Sequence, residues 1–149
     1  MSKNLSENEI RNMHDNYVVP TYSPKMAIVK GKGAWVWSAS SKKYLDFCSG
    51  IAVTNIGHSH PRLVTAIKEQ AEQLIHVSNL FYIPLQPQLA ETLVNCSGLA
   101  GAKCFFCNSG AEANEGLIKL ARLWGSESGK YEIITFKNSF HGRTLATLT

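Results

Sequence analysis

A chain of 149 residues with 44% hydrophobic and 17% charged side chains has the composition of an ordinary globular protein, which excludes a disordered or low-complexity segment as its main content. The formal charge of +4 comes from scattered lysines with no basic stripe between stacking aromatics, so a nucleic-acid partner is not expected. No stretch approaches the roughly 20 apolar residues of a membrane span; the polar, acid-bearing start M-S-K-N-L-S-E-N-E-I is unlike a signal peptide, and the expected location is cytoplasmic with no membrane partner.

Ser6-x-x-Glu9 is a capping box, and it predicts a short helix over Ser6 to His14 within a leading arm of residues 1–24. Tyr22 stands two residues before Pro24 and is expected in extended backbone. Three short runs follow, Met26–Lys30, Ala34–Ser38 and Tyr44–Phe47, separated by Gly31-Lys-Gly33 and by the polar Ser38–Lys43 turn, and they predict an antiparallel meander. His58 and His60 form an H-x-H pair. Without an acidic or cysteine partner nearby in sequence, and with Pro61 suited to a first helical position, they read as turn and capping residues, and no metal site is expected. Pro61–Leu74 then reads as a helix with Val64, Ile67, Ala71 and Leu74 on one face, Ser78–Tyr82 as a loop, and Pro87–Asn95 as a further helix.

The most informative stretch is Lys103–Ala121, K-C-F-F-C-N-S-G-A-E-A-N-E-G-L-I-K-L-A, where the hydrophobic period changes. Lys103–Cys107 is apolar, aromatic and too short for a helix, so it predicts a buried strand; from Ala111 onward Leu117, Leu120, Ala121 and Trp124 recur at helical spacing. Cys104 and Cys107 read as two buried thiols rather than a metal or redox pair, because strand residues three apart face opposite sides and no second pair follows. Asn108, Ser109 and Gly110 lie at the junction. A strand, a small turn and a helix start together expose backbone N–H groups and the positive end of the helix dipole, which suits a phosphate. The same residues equally fit a serine that does no more than cap a helix.

Tyr131–Phe136 predicts a second strand, and it leads into Lys137-Asn-Ser-Phe140-His141-Gly142-Arg143-Thr144. Two strands joined by a helix make a βαβ unit, usually parallel, whose strands deliver their C-terminal ends to one edge of the sheet. Ligands of open α/β sheets lie at that edge. A phosphate cradle at one strand end and an aromatic ring, an imidazole and a guanidinium at the other fit a flat phosphorylated cofactor beside an anionic substrate.

N-S-G-A-E-A-N-E with K-L-A-R and S-F-H-G-R-T closely resembles the acetylornithine and ornithine branch of the class III aminotransferases, and Y-L-D-F-C-S-G-I-A-V, N-I-G-H-S-H-P and H-V-S-N-L-F-Y extend the resemblance over residues 17–149. It implies an α/β fold of the fold-type I kind dependent on pyridoxal 5'-phosphate. Residues 1–57 would form the arm and small-domain meander, and 58–149 the linking helices and first βαβ unit of the cofactor domain. It implies that Ser109, Gly110 and Ala111 hold the cofactor phosphate, that Phe140 stacks on its ring with His141 beside it, and that Arg143 receives a substrate carboxylate. By the same resemblance Tyr22 and Phe81 line the substrate pocket, Phe81 from the neighbouring subunit of a homodimer. The implied reaction moves an amino group from acetylornithine to 2-oxoglutarate, a step of arginine biosynthesis. Ornithine or 4-aminobutyrate would be the alternative donor, and a non-catalytic phosphate-binding or interaction protein the competing class. The family carries its catalytic lysine, and the acid that pairs with the cofactor nitrogen, beyond the histidine-glycine-arginine motif; none of the lysines here matches the former, and Lys119 matches a family lysine of another kind. The chain is therefore expected to be the N-terminal part of such an enzyme, inactive by itself. Where relatives carry an aspartate and a turn glycine, this chain has Ser38 and Ser41.

Overall fold

The computed structural model describes residues 5–148. They fall into two compact units, divided between Leu80 and Phe81.

The first unit opens with α1 (Glu7–Tyr17), and the capping box is complete: the Ser6 hydroxyl accepts the Glu9 N–H while the Glu9 carboxylate accepts the Ser6 N–H at 2.8 Å. Strands β1 (Ile28–Lys32), β2 (Trp35–Ser38) and β3 (Lys43–Leu45) form the expected antiparallel meander, with Lys30 opposite Trp37 and Trp37 opposite Lys43. The ammonium of Lys43 sits 3.9 Å from the centre of the Trp35 ring, and that of Lys30 sits 5.0 Å from Trp37, so these lysines cover the tryptophans of the sheet face. The turn between β2 and β3 closes with Ser41 itself in the left-handed region, φ 62°. Buried Ser38 anchors it, its Oγ accepting the Lys42 N–H at 3.2 Å.

Beyond β3 the chain makes a single turn, α2 (Ser49–Ala52), whose Gly50 and Ile51 lie at positive φ. It then returns to the meander at residues 57–59. The Gly33 N–H donates to the His58 carbonyl and the His58 N–H to the Gly33 carbonyl, both at 2.8 Å, and the Ser59 hydroxyl donates to the Gly31 carbonyl at 3.0 Å. The His58 side chain lies so close over Gly31 that a methyl group there would sit 2.7 Å from its Cβ, which is why residue 31 carries no side chain. His58 was expected to lack an acidic partner; its Nε2 lies 2.6 Å from Asp46 Oδ2, a residue twelve positions upstream that the strand pairing brings back. His60 occupies the N-cap position of α3 (Pro61–Gln73), but its side chain makes no capping hydrogen bond.

The second unit holds α4 (Leu85–Ser97), ended by Gly98 in the left-handed conformation, and α5 (Gly110–Ser126). The order of apolar run, helix and apolar run stands as expected, yet Lys103–Cys107 and Tyr131–Phe136 are not strands. A strand needs a lateral neighbour to supply its ladder, and among the described residues neither run has one. For the same reason the expected burial is not seen: Phe105 is 71% and Ile134 97% exposed, and Cys107 is exposed while Cys104 is half-buried. The chain exposes 13,692 Å² of surface. Two compact units of half the mass each would expose about 9,100 Å² by the usual scaling, and the exposed surface includes large apolar side chains such as Phe105, Ile134 and Phe136.

Candidate active site

The junction before α5 is built by local hydrogen bonds. Ser109 is the N-cap, in extended backbone, and its hydroxyl accepts the Glu112 N–H at 3.2 Å. The Glu112 carboxylate reaches back to accept the Asn108 N–H, and the Cys107 thiol lies 3.4 Å from the Ser109 carbonyl. A helix start leaves its first N–H groups without intrahelical partners. The serine satisfies one, and those of Gly110 and Ala111 carry no hydrogen bond among the described residues. A side chain added at Gly110 would meet nothing within 4 Å, so the approach to these donors is open. The helix is 17 residues long, enough for its dipole to favour an anion here.

The second half of the site arrives from residues 140–147. Gly142 is buried with φ 139°, and a methyl group on it would stand 2.7 Å from Ala111 Cβ, 3.0 Å from Ala111 Cα and 2.6 Å from Thr147 Oγ1. Glycine is required twice there, for the backbone angle and for the approach to the first turn of α5. Asn114 donates its amide to the His141 carbonyl at 2.6 Å, and the Thr144 hydroxyl donates to Glu115. Ala111, Asn114 and Glu115 are spaced i, i+3, i+4, and so form one ridge of α5 on which residues 141–144 rest.

Of the residues singled out by sequence, Ser109, Gly110, Ala111, His141 and Arg143 are therefore gathered at one helix end, with Phe140 beside them: the Arg143 guanidinium lies 5.8 Å from the Phe140 ring centre, and that ring is exposed. His141 also borders a cleft of about 590 Å³ between α5 and residues 131–135. Tyr22 lies in the other unit, on a cleft of about 340 Å³ that it shares with Ile10, His14, Pro24 and Met26. Phe81 is exposed in the bend ahead of α4, outside the residue 109–144 cluster. Sequence reasoning passed over Asn114, Glu115, Thr144 and Thr147, although the spacing of the first two from Ala111 was the available clue. A phosphate with a flat aromatic body fits this arrangement: open backbone donors, no side chain in the approach, an exposed ring and a guanidinium close by.

In the first unit, the hydrogen bond from His58 and the N–H groups of Ser49 and Cys48 hold the Asp46 carboxyl below its ordinary range. This bracket ties the loop to the meander.

The family described as aminotransferase class-III matches residues 17–149. The acetylornithine aminotransferase of Halalkalibacterium halodurans is 50% identical over 135 residues, 90% of this chain and 34% of the relative. The N-acetylornithine aminotransferase structure from Stenotrophomonas maltophilia superposes with a TM-score of 0.77 at 43% identity, over 89% of this chain and 36% of that one. A taurine:2-oxoglutarate aminotransferase from Bifidobacterium kashiwanohense, solved with PLP and glutamate, gives a TM-score of 0.85 at 31% identity over 99% of this chain and 33% of its own. The chain thus spans about a third of the length of the relatives it matches.

Proposed function

We propose, from the premise that this chain belongs to the class-III aminotransferases, that the whole protein moves an amino group from acetylornithine, or a related ω-amine such as ornithine or 4-aminobutyrate, to 2-oxoglutarate. The cofactor is pyridoxal 5'-phosphate, which when bound supplies the electron sink for the carbon that carries the amino group. The observation that supports the reading is the seating of Phe140–Arg143 against the first turn of α5 through Gly142 and Ala111. In this reading the N–H groups of Gly110 and Ala111 and the Ser109 hydroxyl hold the phosphate, the Phe140 ring lies on the cofactor ring with His141 beside it, and Arg143 binds the carboxylate next to the reacting carbon. Its planar fork can make two parallel hydrogen bonds that orient that carbon. Tyr22 and Phe81 complete the substrate pocket, Phe81 from the second subunit of a homodimer. The exposed large apolar side chains, Phe81 and Tyr82 among them, support such a partner. For the whole protein, the proposed boundary between small domain and cofactor domain falls at residues 57 and 58, and the proposed location is the cytoplasm. Because none of this chain's lysines matches the family's catalytic lysine, residues 1–149 alone are proposed to lack turnover.

Steady-state kinetics of the full-length protein with each donor and 2-oxoglutarate test the substrate assignment, and a kcat/KM highest for acetylornithine is expected. Preference for another donor overturns the substrate, and absence of transamination with every donor overturns the function. Lysine keeps the charge at position 143 but loses the fork. Arg143→Lys should therefore lower kcat/KM for donor and acceptor alike by about 2–5 kcal/mol, the range for a desolvated charge losing its hydrogen-bonded partner.

A further inference from the structure

We infer that Asn114, Glu115 and Thr147 are positioning residues that hold the backbone of Arg143 from both sides and thereby set its affinity for the substrate carboxylate; the inference rests on the role proposed for Arg143. Upstream of the arginine, Gly142 is pressed onto Ala111, and the His141 carbonyl is held by Asn114 Nδ2 at 2.6 Å. Downstream, Thr144 is held by four side-chain contacts, one of them from Thr147 Oγ1 to its carbonyl at 3.2 Å. Its N–H donates to Thr147 Oγ1 at 2.9 Å, its hydroxyl lies 2.7 Å from that same oxygen, and its hydroxyl also meets the Glu115 carboxylate.

One order of protons satisfies the three contacts at the Thr144 N–H and hydroxyl, and in it the shorter 2.7 Å contact takes the Thr147 proton in preference to the Thr144 carbonyl at 3.2 Å. Thr147 Oγ1 receives the Thr144 N–H and gives its own proton to Thr144 Oγ1, which leaves the Thr144 proton for Glu115. The chain of hydrogen bonds ends on a carboxylate, the arrangement in which such bonds are strongest. Thr147 is the hub and is only 3% exposed, so its hydroxyl cannot exchange these partners for water without opening the loop. Arg143 itself is exposed. The cofactor phosphate donors at Gly110 and Ala111 do not take part in the network, so substrate and cofactor affinity should respond differently to its loss.

In the full-length protein, Thr147→Val and Glu115→Ala should each raise KM for both the amino donor and 2-oxoglutarate by about 5- to 100-fold, as expected for a buried hydrogen-bonding group left without its partner. PLP affinity should stay within about twofold, since the phosphate donors are untouched. Thr147→Ser keeps the hydroxyl and Glu115→Gln keeps one acceptor oxygen for Thr144, so both should restore the KM values. Hydrogen exchange at the Thr144 amide should accelerate in Thr147→Val and recover in Thr147→Ser. If Thr147→Val does not fold, the Glu115 pair carries the test. Unchanged KM values in Glu115→Ala, or equal losses of substrate and PLP affinity, overturn the inference. Arg143→Lys separates the two readings: if it is silent for both substrates the role of Arg143 fails, and if it is impaired while the Thr147 and Glu115 variants are silent, the positioning network fails.

Discussion

Replacing Gly142 with alanine perturbs the close backbone approach that seats residues 141–144 on the first turn of α5. The added methyl group would meet Ala111 Cβ at 2.7 Å and Thr147 Oγ1 at 2.6 Å, both well inside van der Waals contact, while the backbone is held at φ 139°. Holding a non-glycine residue in such a region costs on the order of 1–3 kcal/mol, and forcing a methyl group into a packed site costs a similar 1–3 kcal/mol. Neither neighbour can turn aside cheaply, because Ala111 is part of the helix backbone and Thr147 is the buried hub of the network below it. The expected destabilisation is therefore about 2–6 kcal/mol if the loop stays seated. The alternative is for residues 141–144 to lift away, relieving the strain and separating Arg143 from the phosphate turn. The variant distinguishes these outcomes when urea unfolding, PLP titration and kinetics are measured on one preparation of the full-length protein. Lifting predicts a small stability loss with substrate affinity down by tenfold or more, about 1.4 kcal/mol; seating predicts the large stability loss with weaker PLP binding, because Ala111 is pushed. A variant with wild-type stability, PLP affinity and KM would refute the close approach of Gly142 to α5.

Removing the hydroxyl with Ser109→Ala takes away the α5 cap and, if the proposed function holds, a phosphate donor; the cap alone is worth about 0.5–2 kcal/mol, and a hydrogen bond to a charged group about 1.5–3 kcal/mol, so PLP affinity should fall by at least tenfold in an absorbance titration of the full-length protein. Asp46 has its folded pKa depressed by His58 and by the Ser49 and Cys48 amides, so its contribution to stability is present above the unfolded value near 4 and is lost as pH falls through the lower folded value. Thermal unfolding between about pH 5 and 2 should show that loss in the wild type and less of it in Asp46→Asn; identical profiles would remove the bracket from the account. Ser6→Ala breaks the capping box of α1, and the amides of its first turn should exchange faster by an amount equivalent to about 1 kcal/mol; unchanged exchange would mean that the box does not hold α1.

Features governed by near neighbours could be read from the residues. The Ser6-x-x-Glu9 box marked the start of α1, Gly31 to Gly33 marked a hairpin, and the Asn108-Ser109-Gly110 junction marked the start of α5 with its open amides, since capping, turn geometry and helical spacing act over three or four positions. The sequence order of phosphate turn and histidine-glycine-arginine motif likewise implied a shared site. Tertiary structure decided which atoms join them: that Gly142 meets Ala111, that Asn114 and Glu115 take hold of His141 and Thr144 from 27 and 29 residues away, and that His58 finds Asp46 across a meander. It also decided that Lys103–Cys107 and Tyr131–Phe136 are not strands here, although their apolar runs read as such. Hydrophobic pattern records a side chain's preference for burial, whereas a strand exists only when another backbone lies alongside to complete its hydrogen bonds, and that neighbour is a property of the assembled fold rather than of the run itself.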